Sequence, residues 1–180
     1  MLRTIVKLAT TCVLFILGWS ATVAQAQTTG IKSEYIMTLT AQLDAPHVIN
    51  DKLFIYNVPG GTVAGPKIKG KVIPPTADWL ALMPSGNFRL DVRLTILTDD
   101  NQYVYMTYNG VIKPNEAADK KFEEGKEVVK TDEQYFITAP TFQTASPKYA
   151  WLNDIQAVGK MIEVKGGTGS YVKYDIFAIR

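Results

Sequence analysis

Two charged side chains on one predicted strand are the first candidates for chemistry. Asp91 and Arg93 lie two residues apart in the run 90–97, so they share one face of the strand and stand about 7 Å apart. The opposite face carries Leu90, Val92, Leu94 and Ile96. The pattern favours an aliphatic face in the core and a charged face in water. In a barrel that holds a ligand, the assignment can invert if other elements cover the outside, and the Arg93 guanidinium then binds an acidic or carbonyl oxygen of the ligand.

The next predicted strand adds aromatic hydroxyl groups. Its two faces carry Tyr103, Tyr105 and Thr107 on one side and Met106 and Tyr108 on the other. Either tyrosine group can present a hydroxyl to a bound molecule, although paired tyrosines are also ordinary on sheet surfaces. Tyr105 is a candidate ligand-binding residue.

Motifs of the common enzyme classes are absent from the sequence. His47 is the only histidine, which excludes a multi-histidine metal site and leaves one isolated base in a predicted loop. The glycine-rich segments 60–61 and 166–169 do not lead into predicted helices, so they indicate turns rather than phosphate-binding loops. We therefore expect neither a metal nor a cofactor.

Apolar and polar residues alternate with a period of two through most of the chain, which predicts strands. The predicted strands are 34–43, 53–58, 62–73, 78–82, 88–97, 102–112, 135–141, 152–164 and 171–179. Pro74 and Pro75 are expected to end the third of them. One segment is typical of a helix, with Asn115 as its cap, an end near Glu124 and Gly125 as the terminator. This pattern predicts an all-β barrel or sandwich.

The first 26 residues have the composition of an export signal. Arg3 and Lys7 precede an apolar run at 8–19, and small residues at 24–26 provide a cleavage site near Ala26. A membrane anchor is the competing interpretation, but the run is interrupted and shorter than the roughly 20 apolar residues of a span. The sequence predicts a periplasmic or secreted protein.

Removal of this segment changes the charge and the thiol content. Of 19 basic residues two lie in the segment, which leaves 17 against 17 acidic residues, and the only cysteine, Cys12, is also removed. A chain without net charge is not expected to capture nucleic acid or to associate stably with membranes after cleavage. The expected partner is a small organic molecule.

Several short motifs occur in an order that resembles a known family. They include Gly60-Gly61-Thr62, Ala77-Asp78-Trp79, Leu90-Asp91-Val92-Arg93 and Tyr149-Ala150-Trp151-Leu152-Asn153. Over residues 35–179 they resemble the bacterial and fungal family named domain of unknown function 3237. The resemblance implies a closed antiparallel β-barrel of about eight or nine strands with one short helix, similar to allene oxide cyclase, and a central cavity. Residues 27–33 are then a flexible mature N terminus and 34–180 a single barrel domain.

The resemblance also selects candidate site residues, although it implies no settled activity. The residues that match the family pattern as cavity or cavity-mouth groups are Asp78, Trp79, Asp91, Arg93, Trp151 and Asn153. Asp78 is the candidate catalytic acid or base, because an apolar tryptophan beside a carboxylate raises its pKa. The sequence departs from the family at Pro74-Pro75-Thr76 and at Gln143, where relatives often have a glutamate.

These residues support three hypotheses about function. The first is an enzyme that acts on a small organic ligand in the barrel, as a cofactor-free isomerase, cyclase or lyase. The second is a non-catalytic carrier or scavenger with the same pocket. The third is a structural envelope protein in which Asp91 and Arg93 form an ion pair and no ligand binds.

Overall fold

A computed structural model describes residues 30–132 and 134–180. The predicted signal peptide and residues 27–29 of the predicted N terminus lie outside the described residues. Residues Ile31–Arg180 form one compact unit. None of the helices in the described parts of the chain has the length and apolarity of a membrane span.

The described residues form eleven strands and one α-helix. In chain order they are β1 (Ser33–Gln42), β2 (His47–Asn50), β3 (Leu53–Asn57), β4 (Gly61–Ala64), β5 (Lys69–Leu82), β6 (Phe88–Thr98), β7 (Tyr103–Ile112), α1 (Glu116–Glu123), β8 (Glu127–Val129), β9 (Phe136–Gln143), β10 (Gln156–Lys165) and β11 (Tyr171–Ile179). Two 3₁₀ helices span Lys130–Asp132 and Pro147–Asp154.

Eight of the strands close into an antiparallel barrel. The order around it is β1, β4, β5, β6, β7, β9, β10 and β11, and β11 pairs with β1 to complete the ring. The other three strands are additions, because β3 pairs with β5, β2 pairs with β3 and β8 pairs with β10. The predicted closed antiparallel β-barrel is confirmed.

Several predicted boundaries are wrong, and His47, predicted to lie in a loop, is the first residue of β2. Pro74 and Pro75 do not end a strand, since β5 continues past them and its pairing with β6 shifts register between Ile73 and Ala77. Such an irregularity tolerates prolines because residues there need not donate to the ladder. Leu152, predicted to begin a strand, lies in the second 3₁₀ helix instead.

The two ends of the barrel are filled differently. At the end remote from α1, long aliphatic side chains fill the interior. They are Leu39, Leu94, Ile96, Met106, Met161 and Ile176. The end beneath α1 is less completely filled, and a cavity remains there.

The predicted helix is confirmed as α1. The side-chain oxygen of Asn115 accepts a hydrogen bond from the main-chain N–H of Ala118 at 3.2 Å, and Gly125 follows the helix with a φ of 68°. A Cβ at Gly166 would overlap the carbonyl oxygen of Phe122. The glycine therefore lets the hairpin between β10 and β11 approach α1 closely.

Candidate functional site

The cavity beneath α1 has a volume of about 310 Å³ and is lined mainly by apolar side chains. Four phenylalanines contribute to its walls, namely Phe54, Phe88, Phe122 and Phe136. The lining residues with polar side chains are Tyr56, Asp78, Asp119, Glu123, Gln134 and Tyr174. A cavity of this kind can hold a small organic molecule and fix its orientation through few polar groups.

Strand alternation places Asp78 inside the barrel. It pairs across the sheet with Tyr56 of β3 and with Val92 of β6, so the three side chains share the inward face. Asp78 lies four residues before Leu82 along β5, which corresponds to about 13 Å of strand. Its Oδ1 atom is buried and has no hydrogen-bond partner in the protein. The sequence-based selection of Asp78 as an interior group is therefore supported by its position.

The environment of Asp78 raises its pKa to about 7. Burial is the main cause, since it disfavours the charged carboxylate. A main-chain hydrogen bond involving Asp91 lowers the pKa, and the negative charge of Asp91 raises it. Trp79, which the sequence suggested as the cause, lies on the opposite face of β5. An acid with a pKa near neutrality is able both to donate and to accept a proton at physiological pH.

Three tyrosines surround the buried acid. Burial raises the pKa of Tyr56, and the charge of Asp78 raises it further. Burial likewise raises the pKa of Tyr108 and Tyr174, whose rings pack edge to face with their centroids 5.8 Å apart. Their hydroxyls therefore remain protonated at neutral pH. Tyr56 and Tyr174 are not among the predicted site residues, because their proximity to Asp78 depends on strand pairing.

Gln134 is a second polar group that sequence reasoning missed. Gln134 is 5% exposed, and its Nε2 atom donates a hydrogen bond to the carbonyl oxygen of Lys113 at 2.7 Å. Its Oε1 atom is buried and has no partner in the protein. Gln134 lies between a 3₁₀ helix and β9, where strand alternation gives no signal. Gln134 nevertheless lines the same cavity as Asp78.

The expectation that Asp91 and Arg93 face an enclosed cavity is wrong. They form an ion pair at 3.0 Å on the outer face of the barrel, and about half of each side chain is exposed, 49% and 50% respectively. The inward positions of β6 belong to Val92 and Leu94, which are 1% and 0% exposed. The aliphatic side chains occupy the interior because their burial is favourable and the charged pair stays hydrated outside.

Trp79, Arg93 and Tyr105 do come together, but outside the barrel. They line an external groove of about 670 Å³, in which the Arg93 guanidinium lies over the Trp79 ring at 5.6 Å. Asp91 lies opposite Trp79 in the pairing of β6 with β5. Of the predicted site residues, Asp78 therefore lines the interior cavity, whereas Trp79, Arg93 and Tyr105 line the external groove.

Trp151 and Asn153 lie in the second 3₁₀ helix, and neither lines the interior cavity. The Nζ atom of Lys67 is 5.5 Å from the centre of the Trp151 ring. The Asn153 side chain accepts from the main-chain N–H of Thr144 at 2.8 Å and donates to its carbonyl oxygen at 2.9 Å. These two bonds give Asn153 a local structural role, and its predicted place in the cavity is wrong.

We expect Arg93→Ala to change the free energy of unfolding by less than about 1 kcal/mol, because exposed ion pairs contribute little to stability. Urea denaturation of the variant and the unchanged protein measures this difference. Lys71→Ala, an exposed cation of β5 without an ion pair among the described residues, provides the comparison. A loss of several kcal/mol would show that the external pair is a structural element of the barrel.

Comparisons with known proteins agree with this fold. The family described as "Protein of unknown function (DUF3237)" matches residues 31–179. A UPF0311 protein of Clostridium acetobutylicum is 31% identical over 124 residues, which cover 66% of this chain and 78% of the relative. A UPF0311 protein of Rhodopseudomonas palustris is 31% identical over 134 residues, which cover 72% of this chain and 86% of the relative.

Solved structures share the architecture. A conserved protein of unknown function from Rhodopseudomonas palustris has a TM-score of 0.74 at 27% identity, covering 85% of this chain and 99% of its own. A chain described as an enzyme from Penicillium herquei has a TM-score of 0.56 at 18% identity, covering 86% of this chain and 98% of its own, and shows likeness of fold alone. On the extent of the family match, this chain belongs to the DUF3237 family of proteins of unknown function.

Proposed function

We propose that the protein binds a small organic molecule in the interior cavity and that Asp78 transfers a proton to or from it. The reaction class is a cofactor-free isomerisation, cyclisation or elimination. The alternative with the same pocket is a non-catalytic carrier, which the largely apolar lining of the cavity also favours.

One observation carries the proposal, namely the buried and unpartnered Oδ1 atom of Asp78. Burying a polar atom without a hydrogen bond costs about 1 to 3 kcal/mol. Such a cost is typical of functional sites, where a ligand supplies the missing partner. A carboxyl group with a pKa of about 7 adds the ability to exchange a proton with that ligand.

The neighbouring hydroxyls suit proton transfer at a carbonyl compound. If the carboxylate of Asp78 removes a proton from carbon beside a carbonyl, negative charge develops on the carbonyl oxygen. Tyr56 and Tyr174 line the same cavity, and the Tyr56 hydroxyl can donate a hydrogen bond to that oxygen. Asp78 then returns the proton to another atom of the ligand. The product is an isomer of the ligand, and the reaction needs neither an oxidant nor a reductant.

The predicted export signal guides the choice of test material. The protein is purified without denaturation from the periplasm and from the medium of its native host, and native mass spectrometry measures any retained small molecule. The retained molecule and the corresponding host extract are then incubated with the unchanged protein and with Asp78→Asn. Asp154→Asn is the matched control, because it replaces an exposed carboxylate in the second 3₁₀ helix, which does not line the interior cavity.

We expect a retained molecule, its conversion by the unchanged protein and by Asp154→Asn, and a loss of at least a hundredfold in rate with Asp78→Asn. Equal rates with Asp78→Asn would remove Asp78 from the mechanism. A retained molecule that is never converted would identify a carrier. Absence of any retained molecule, with no change in the extract, would favour the structural hypothesis.

A further inference from the structure

We propose that the interior cavity selects an electrically neutral, ring-containing ligand with a hydroxyl group directed at Gln134 and a second oxygen directed at Asp78, and that it rejects carboxylates and phosphates. This inference rests on the proposed function and specifies its substrate class.

The charges of the lining residues favour a ligand without negative charge. Its acidic lining residues are Asp78, whose Oδ1 atom is buried, and the exposed α1 residues Asp119 and Glu123, and no lysine, arginine or histidine is among the described lining residues. Lys160, which approaches Gln134, donates its Nζ proton to the Gln134 main-chain oxygen at 2.8 Å and does not line the cavity. An anionic ligand would lose its hydration and gain no cation in return, which is strongly unfavourable.

Gln134 specifies a hydrogen-bond donor on the ligand. Its Nε2 atom must face the Lys113 carbonyl, because a carbonyl oxygen accepts and cannot donate. This bond fixes the orientation of the amide and leaves Oε1 as an unpartnered acceptor. A hydroxyl or N–H group of the ligand is the partner that this atom requires.

Asp78 specifies the second polar position and the length of the ligand. Phe88, Ile112 and Phe136 lie in register near the α1 end, and Gln134 precedes Phe136 by two residues. Asp78 lies four residues from Leu82, the β5 partner of Phe88, which corresponds to about 13 Å measured along the strand. The space between is lined by aliphatic and phenylalanine side chains, so two or more fused rings with oxygens at opposite ends match the cavity.

A neutral oxygen suits Asp78 better than an ammonium group. An ammonium ion would form a buried ion pair, and removing both charges from water offsets most of their attraction. A hydroxyl group avoids that cost and can pair with Asp78 in either protonation state, whereas a carbonyl oxygen can pair only with the protonated carboxyl group.

Four naphthalene derivatives of similar size test the inference directly. The probes are 2,6-dihydroxynaphthalene, 2-methylnaphthalene, 2-naphthoate and 2-naphthylmethylammonium, and isothermal titration calorimetry at pH 6 measures their affinities. We expect 2,6-dihydroxynaphthalene to bind at least about tenfold more tightly than either charged compound. We expect Gln134→Leu to remove most of its advantage over 2-methylnaphthalene. The matched control Gln143→Leu replaces an exposed glutamine on the outer face of β9 and is expected to leave all four affinities unchanged.

The outcomes separate the two proposals. Equal or tighter binding of the carboxylate or the ammonium compound would overturn the neutral-ligand inference while leaving an interior site in place. Failure of all four compounds, the uncharged hydrocarbon included, would count against the interior site itself. The comparison of the four compounds on the unchanged protein holds even if Gln134→Leu does not fold.

Discussion

Asp78→Asn is expected to become progressively more stable than the unchanged protein as the pH rises from 4 to 8. The difference in free energy of unfolding should grow by up to roughly 4 kcal/mol. This gain accompanies the expected loss of proton transfer. Asp78 would thus be a residue whose native side chain costs stability, as is common for groups in functional sites.

The sign follows from proton binding in the two states. The pKa of Asp78 is about 7 in the folded protein against 3.8 as the ordinary value. Between these values the unfolded chain has released its proton and the folded chain still holds it. The folded protein therefore binds more protons, and its stability falls as the pH rises through this interval. Below pH 3.8 both states are protonated, and above pH 7 the full cost is present.

Urea denaturation at pH 4, 5, 6, 7 and 8 measures the effect in both proteins. Asp154→Asn is the control, because it replaces an exposed carboxylate of the second 3₁₀ helix, and its difference from the unchanged protein should stay small and nearly constant. If the Asp78→Asn and unchanged proteins instead showed parallel pH profiles, the raised pKa and the proposed proton transfer would both lose their support.

Much of the fold was predictable because strand alternation and helix capping are local properties. The period of two located most barrel strands, and Asn115 and Gly125 marked the ends of the α-helix. The continuity of β5 was not predictable in this way. The two prolines that suggest a strand end are tolerated at an irregularity that depends on the pairing of β5 with β6.

The site was less predictable because it depends on which residues meet across the barrel. Asp78 was selected correctly as an interior group, but burial rather than Trp79 is the main cause of its raised pKa. Tyr174 reaches the cavity only because β11 closes the barrel between β1 and β10. Gln134 lies outside the strands. In β6, the alternation of aliphatic and polar residues already favoured the aliphatic face for the core. The hypothesis that Arg93 points into the barrel reversed these two faces and was wrong.

The orientation of β6 leads to the second large effect, a loss of about 3 to 5 kcal/mol in the free energy of unfolding for Leu94→Ala. Leu94 is fully buried in the filled end of the barrel, where neighbouring side chains from several strands cannot collapse into the space left by the lost methyl groups. Urea denaturation measures the loss. Because Leu94 does not line the interior cavity, the affinity for 2,6-dihydroxynaphthalene should remain unchanged under conditions where the variant is folded.

Leu97→Ala is the matched control, since it removes the same atoms from the same strand at a position of opposite orientation. Leu97 is only partly buried, so we expect a loss of about 1 kcal/mol or less. Similar losses for both leucines would contradict the assignment of inward and outward faces in β6. Arg93 and Asp91 share the outward face with Leu97. Similar losses would therefore be consistent with an ion pair inside the barrel, and a cation there would contradict the inference that the cavity selects a neutral ligand.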